Sequence, residues 1–282
     1  MKETVSLLIM AGGASSRMKR SLKDSSITEE LKKQAQAVHK SLIPLGVNQR
    51  PLLYYLINNA VAVGFTNIYL ITSPENKAFH DQLAYWKQRQ IFGDVNIRFA
   101  LQHVPSDREK PLGTADAVEQ ALEQYPELQK TQFTVCNGDN LYSSAVFQRL
   151  KESRKVPHAL ISYARSGLNF PDERIAKFAV MDIDSEGFLK NIIEKPAASE
   201  VEQYKDTTGE IRVSMNIFSF DGALLYPYLK SCPIHPERNE KELPEALCLM
   251  NSADPQKTIC IPVKEHLPDL TSAEDISKFE VE

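Results

Sequence analysis

Three features of the sequence predict an α/β fold built on a central, mostly parallel sheet. Short runs rich in Val, Ile, Leu and Phe recur from residue 5 to residue 163, helix-like stretches separate the first four, and those stretches carry one apolar face. Strands that alternate with helices require crossover connections, which make neighbouring strands parallel and lay helices over the sheet.

The run at 5–10 is too short for a secretory leader and is followed by Arg17, Lys19 and Arg20, so it is a strand entering a loop. Over 51–64, Leu52, Leu53, Leu56, Ile57, Ala60 and Val61 fall at helical spacing, with Pro51 in the first turn and Gly64 as the stop. Strands follow at 68–72 and 97–101. Residues 114–125 repeat the helical design through Ala115, Val118 and Leu122, and 133–136 and 159–163 are the next strands. Beyond about residue 162 the texture changes to extended segments at 177–182, 188–194 and 212–220, separated by charged turns, which predicts antiparallel pairing there.

Composition narrows the function. The 282 residues carry 33 basic against 37 acidic side chains, a formal charge of -4, and are 42% apolar, which excludes disordered, collagen-like and disulfide-scaffold chains. A net negative chain lacks the surplus of Lys and Arg that sequence-independent nucleic-acid binding needs. No apolar stretch approaches the ~20 residues that span a bilayer, so no membrane partner and a cytoplasmic location are expected. Cys136, Cys232, Cys248 and Cys260 stand far apart, without a Cys-x-x-Cys pair, as reduced thiols do.

In open α/β sheets ligands bind beyond the carboxyl ends of the strands, and three strand ends carry suggestive residues. After the first come Ala11, Gly12, Gly13, Ala14, Ser15, Ser16 and Arg17. Such a loop can turn its amides toward an anion while Arg17 clamps a phosphate, or it can be a plain Gly/Ser turn. It is neither a Walker loop nor a dinucleotide fingerprint. After the fourth strand stand Asn137, Gly138 and Asp139, a carboxylate placed to hold a cation or to cap a helix. Upstream, Gly113 and Thr114 precede a helix and either touch a base or cap. Glu194 and Lys195 end a short strand before Pro196, on opposite faces, as functional groups or as a solvated surface pair. The six histidines are scattered, and none sits at a suggestive strand end.

Taken in order, the glycine loop, Lys40 with Leu42 and Pro44, then Gly113, Thr114 and Ala115, Gly138 and Asp139, Glu194, Lys195 and Pro196, and finally Asp269 resemble the sugar-1-phosphate nucleotidyltransferase family over nearly the whole chain. The resemblance implies a three-layer α/β/α, Rossmann-like nucleotidyltransferase (GT-A-like) fold with a mixed, mostly parallel sheet. It implies one domain over 1–282, with a nucleotide-binding half to about 162 and a sugar-phosphate half from about 163. It also implies the reaction: an NTP and a sugar-1-phosphate give an NDP-sugar and pyrophosphate, with Mg2+ as cofactor. By resemblance, Ala11, Gly12, Gly13 and Ser16 hold the nucleotide, and Arg17 and Lys40 steady its phosphates. Gln102, Gly113 and Thr114 contact the base, Asp139 and Asp269 hold the metal, Glu194 and Asn216 bind sugar hydroxyls, and Lys195 meets the sugar phosphate.

This chain departs from the pattern in three places. A polar, partly helix-like insertion over 21–38 separates Arg17 from Lys40 and makes Lys19, Arg20 and Lys23 competitors for its role. Asn216 stands where the family carries a sugar-facing glycine, and Asp269 lacks the usual following glycine. Little sequence follows Asp269, so no appended repeat domain is expected. Homo-oligomer formation is compatible with this reading. The rivals are a non-catalytic nucleotide-sugar-binding regulatory protein and a guanylyl- or cytidylyltransferase acting on a non-sugar phosphate.

Overall fold

Leu7, Leu8 and Ile9 are all without solvent exposure, which requires cover on both faces of the strand they form, β1 (Ser6–Met10). The structure, a computed structural model, describes residues 5–197 and 199–279. From β1 the chain enters α1 (Ser16–Ser21) and α2 (Glu29–Ala37), the latter started by Thr28, whose hydroxyl accepts from Leu31 N. A 3-10 turn at Lys40–Leu42 and a ribbon of β2 (Pro44–Leu45) and β3 (Arg50–Pro51) lead to α3 (Leu52–Ala62). Pro51 stands at the cap of α3 rather than inside its first turn, and Gly64, at φ 91, follows its end as predicted.

Strand and helix then alternate through β4 (Asn67–Thr72), α4 (Lys77–Gln88), β5 (Asn96–Leu101), α5 (Thr114–Gln124), β6 (Gln132–Asn137), α6 (Ser144–Lys151) and β7 (His158–Ala164). The second half contributes α7 (Asp172–Ile175), β8 (Val180–Ile183), β9 (Leu189–Ile193) and the long β10 (Arg212–Asp221). It closes with α8 (Gly222–Ser231), α9 (Leu243–Ala253), β11 (Thr258–Val263) and α10 (Ala273–Lys278).

One sheet runs in the order β11-β7-β10-β6-β1-β4-β5, with β8 pairing β10 and β9 pairing β8. The pairs β1 with β4 and β6, β4 with β5, and β7 with β11 are parallel, whereas β10 is antiparallel to β6, β7 and β8. The sheet is therefore mixed and mostly parallel. Two expectations are corrected. The segment at 177–182 becomes a strand only at Val180, because Lys177 N bonds Arg174 O in the turn after α7. The segment at 188–194 ends as a strand at Ile193, one residue before Glu194. The three second-half segments do pair antiparallel, β9 with β8 and β8 with β10, while β11 adds a parallel strand beside β7; its Pro262 is tolerated because β11 is an edge strand.

Alternate side chains divide between two cores. Leu7 and Ile9 pack with Leu53, Leu56 and Phe147 of α3 and α6, while Leu8 packs with Val118, Leu225 and Leu247 of α5, α8 and α9. These are the three layers. A third cluster joins Met18, Leu22 and Ala35 of the insertion region to Leu270 and Ile276 near the other end of the chain, so α1 and α2 are anchored beside the cleft.

Candidate active site

Two adjoining cavities, of about 400 and 900 Å³, open beyond the carboxyl ends of the parallel strands. Gly12, Gly13 and Ser16 line the smaller, and Ser15, left-handed at φ 55, turns the loop into α1. Ala11 does not line it: it is buried and its N–H is spent on Ile71 O at 2.8 Å, which anchors the start of the loop to β4. Arg17 is solvent-exposed and lies on the larger cavity.

Gln102 is buried at the far wall of the smaller cavity. Its amide nitrogen donates to Gly113 O at 2.9 Å and to Asp116 Oδ2 at 2.8 Å, which spends both hydrogens and leaves Oε1 facing Gly12 as an acceptor. Gly113, at φ 123, lines the cavity, but its lack of a side chain has a structural cause: a Cβ there would collide with the Lys241 backbone. Thr114 does not cap α5, whose cap is Gly113; its hydroxyl accepts instead from Leu243 N at 2.9 Å, at the start of α9.

Lys40 crosses to Asp139 as an ion pair, and its N–H donates to Ser15 Oγ at 3.2 Å. The expected competitors lie elsewhere, since Lys19 and Lys23 line a separate surface groove between α1 and α2, and Arg20 is exposed. Asp139 follows Gly138, where a Cβ would press on Met10 O at 2.9 Å; the glycine therefore lets β6 and β1 close up and carries Asp139 to the loop. Asp269 comes to the same place through a bridge with Asn140 and the bond from Leu270 N to Asp139 O at 2.8 Å. Burial and the neighbouring Asp139 charge push the Asp269 carboxyl above the ordinary carboxylate range, against the opposing pull of Arg174, which pairs with it at 2.6 Å.

In the larger cavity, Glu194 and Lys195 do not point to opposite faces of a strand. Both lie beyond the end of β9, Lys195 is left-handed at φ 46, and the broken alternation lets both line one wall. Asn216 also lines it. A bulge in β10 between Ser214 and Phe218 holds Asn216 at φ 54, a conformation glycine takes freely and asparagine tolerates, so the residue keeps the backbone of the expected glycine and adds an amide. Met10, Thr114, Asn137 and Asp139 line both cavities.

Three further charged or polar groups reach the site without a strand-end signal. Arg174 joins Asp269 to Asp275, the latter at 2.7 Å. Arg238 meets Glu242 at 2.7 Å and Glu194 at 3.5 Å. His39 lines the smaller cavity next to Lys40, and burial, with the Lys40 charge, lowers its imidazole to about 4. Arg238 lies in a charged stretch that looks like solvated surface, and only its spatial partner Glu194 marks it.

A glycine turn, a fixed buried amide and a carboxylate shared by two cation-lined cavities stand at the carboxyl edge of a three-layer α/β sheet, where ligands of open α/β folds bind. The chain belongs to the nucleotidyl transferase family, whose model matches residues 7–262. It is 27% identical over 202 residues to the chloroplastic/amyloplastic small subunit of glucose-1-phosphate adenylyltransferase from Triticum aestivum, covering 70% of this chain and 40% of that one. It is 32% identical over 164 residues to the bifunctional protein GlmU of Staphylococcus saprophyticus, covering 57% and 32% respectively. The chain thus spans less than half the length of these relatives. The UDP-glucose pyrophosphorylase of Acinetobacter baumanii shares the fold, with a TM-score of 0.68 over 98% of this chain and 92% of that one at 16% identity.

Proposed function

We propose that the protein condenses an NTP with a sugar-1-phosphate to an NDP-sugar, releasing pyrophosphate. Asp139 carries this reading: it lines both cavities, so a triphosphate on the glycine loop and a phosphate near Lys195 would meet at one carboxylate. The names of the relatives, an adenylyltransferase acting on glucose-1-phosphate among them, agree with that chemistry. The smaller cavity would take the nucleotide and the larger the sugar phosphate. The halves divided near residue 162 share the work, since Glu240 lines the first cavity and Arg17 the second.

The reactants are both anions, so the protein's task is to hold them in line and offset their repulsion. Lys40 and Arg17 would meet the triphosphate, Lys195 would align the attacking phosphate, and Glu194 and Asn216 would bind sugar hydroxyls. Gln102, with both amide hydrogens spent, would accept from an N–H of the base. The attacking oxygen is already ionised near neutral pH, so no protein nucleophile is needed.

Asp139 and Asp269 fit a small divalent cation. They are hard oxygen donors on adjoining segments; burial first and the Asp139 charge second raise the Asp269 carboxyl, and Lys40 and Arg174 already pair with the two, so the position favours positive charge. Magnesium takes one or two carboxylates and completes its shell from water and phosphate oxygens. When bound it would neutralise phosphate charge and polarise the α-phosphorus. Four free cysteines and the lack, among the described residues, of any helix long and apolar enough to cross a membrane are consistent with a cytoplasmic setting.

The test is a panel of NTPs against sugar-1-phosphates in magnesium, read as pyrophosphate release with the product identified by mass. One pair should turn over and lose its activity in EDTA. Nucleotide-sugar binding that ignores EDTA, with no turnover on any pair, contradicts the reading and favours a regulatory protein.

A further inference from the structure

His39 ends the insertion and opens the 3-10 turn that carries Lys40. Its Nδ1 accepts from Ser41 N at 3.2 Å and lies 2.8 Å from the Ser41 hydroxyl. A backbone N–H can only donate, so Nδ1 is the unprotonated nitrogen and the ring proton sits on Nε2. The ring rests against Phe79, with centroids 5.4 Å apart. Nε2 is buried and no partner meets full hydrogen-bond geometry with it among the described residues, although the Gly13 backbone acts on the ring as a hydrogen-bond acceptor. A buried N–H whose acceptor is poorly aligned is costly and is kept where a better-placed partner arrives later.

What could arrive is set by the neighbours. The same ring lines the smaller cavity with Gly12, Gly13, Ser16 and Lys40. The geometry points to His39 Nε2–H as a neutral hydrogen-bond donor to a phosphate oxygen of the incoming triphosphate, seated between the glycine loop and Lys40. This rests on the reading of that cavity as the nucleotide site. A neutral donor suits the position, because a second full charge beside Lys40 would repel it. Burial also keeps the ring neutral down to about 4, so the donor has one form across the working range. No feature of the sequence marks His39, which precedes the lysine at the end of an insertion.

The experiment uses the full chain with 15N-labelled histidine and inorganic tripolyphosphate, which presents the phosphates without a base, in magnesium-containing buffer. Saturation should move the His39 Nε2 resonance while Nδ1 stays in place. His39→Asn keeps a cap for Ser41 N but removes the distal donor, and should weaken tripolyphosphate binding about tenfold or more. His39→Gln, whose amide nitrogen reaches the Nε2 position, should restore much of that affinity. An unmoved resonance at saturation, undiminished binding by a folded His39→Asn, or failure of tripolyphosphate to bind overturns the inference. Turnover on an NTP and sugar-1-phosphate pair with an unmoved Nε2 removes this inference alone. A moving Nε2 without turnover on any pair keeps it and removes the nucleotidyl-transfer reading.

Discussion

At Gly113 the backbone takes φ 123 and an added Cβ would collide with Lys241, whereas at Gly13 it would meet nothing within 4 Å. Gly113→Ala should therefore cost on the order of 2–4 kcal/mol in urea unfolding. Gly13→Ala should stay within about 0.5 kcal/mol of the parent, yet raise the KM for NTP by crowding the phosphates. Histidines add a pH dependence. Burial lowers both His39 and His158 to about 4 from 6.5, so the unfolded chain binds more protons between those values, and stability falls as the pH drops through that window. The raised Asp269 carboxyl opposes this in part. Between pH 7 and 4 the two histidines should remove together on the order of 5 kcal/mol, and His158→Asn should flatten the slope by about half. Asp139, Lys195 and the glycine loop were legible in sequence because each follows a strand. Arg174 and Arg238 were not, because their meaning lies in the distant carboxylates Asp269, Asp275, Glu194 and Glu242.

At the scale of elements, the strands over 68–72, 97–101, 133–136 and 159–163 were legible within a residue at each end, since apolar runs bounded by polar turns leave little ambiguity. β11 was missed because Pro262 interrupts its pattern, and α7 because four residues carry no periodicity. Contacts that join elements were also invisible. Ser21 Oγ of α1 accepts from Ala273 N of α10 at 2.8 Å, and Thr114 Oγ1 of α5 accepts from Leu243 N of α9 at 2.9 Å. Thr114→Val keeps the shape and orphans that N–H, so it should cost about 1–2 kcal/mol by thermal or urea unfolding. Ala35, nearly without exposure, fixes α2 against α1. Ala35→Glu should detach the insertion, costing on the order of 2–4 kcal/mol, and should raise the KM for NTP because α2 leads directly to His39 and Lys40.

Over the whole molecule, a chain of net charge -4 gathers Arg17, Lys40, Arg174, Lys177, Lys195 and Arg238 around two adjoining cavities. The parallel strands set this up: β1 and β6 lie side by side, so the glycine turn and Asp139 leave the sheet at one place. Nucleotide on one side, sugar phosphate on the other and a shared carboxylate between them form the central claim. It is tested most directly by Asp139→Asn, a near-isosteric change, in the pyrophosphate-release assay with the pair that the parent turns over. The variant should stay folded, while its kcat falls by about a hundredfold or more. A folded Asp139→Asn that keeps kcat within about threefold of the parent would contradict the claim, because 0.7 kcal/mol or less, roughly, is too small for a group on which both reactants converge.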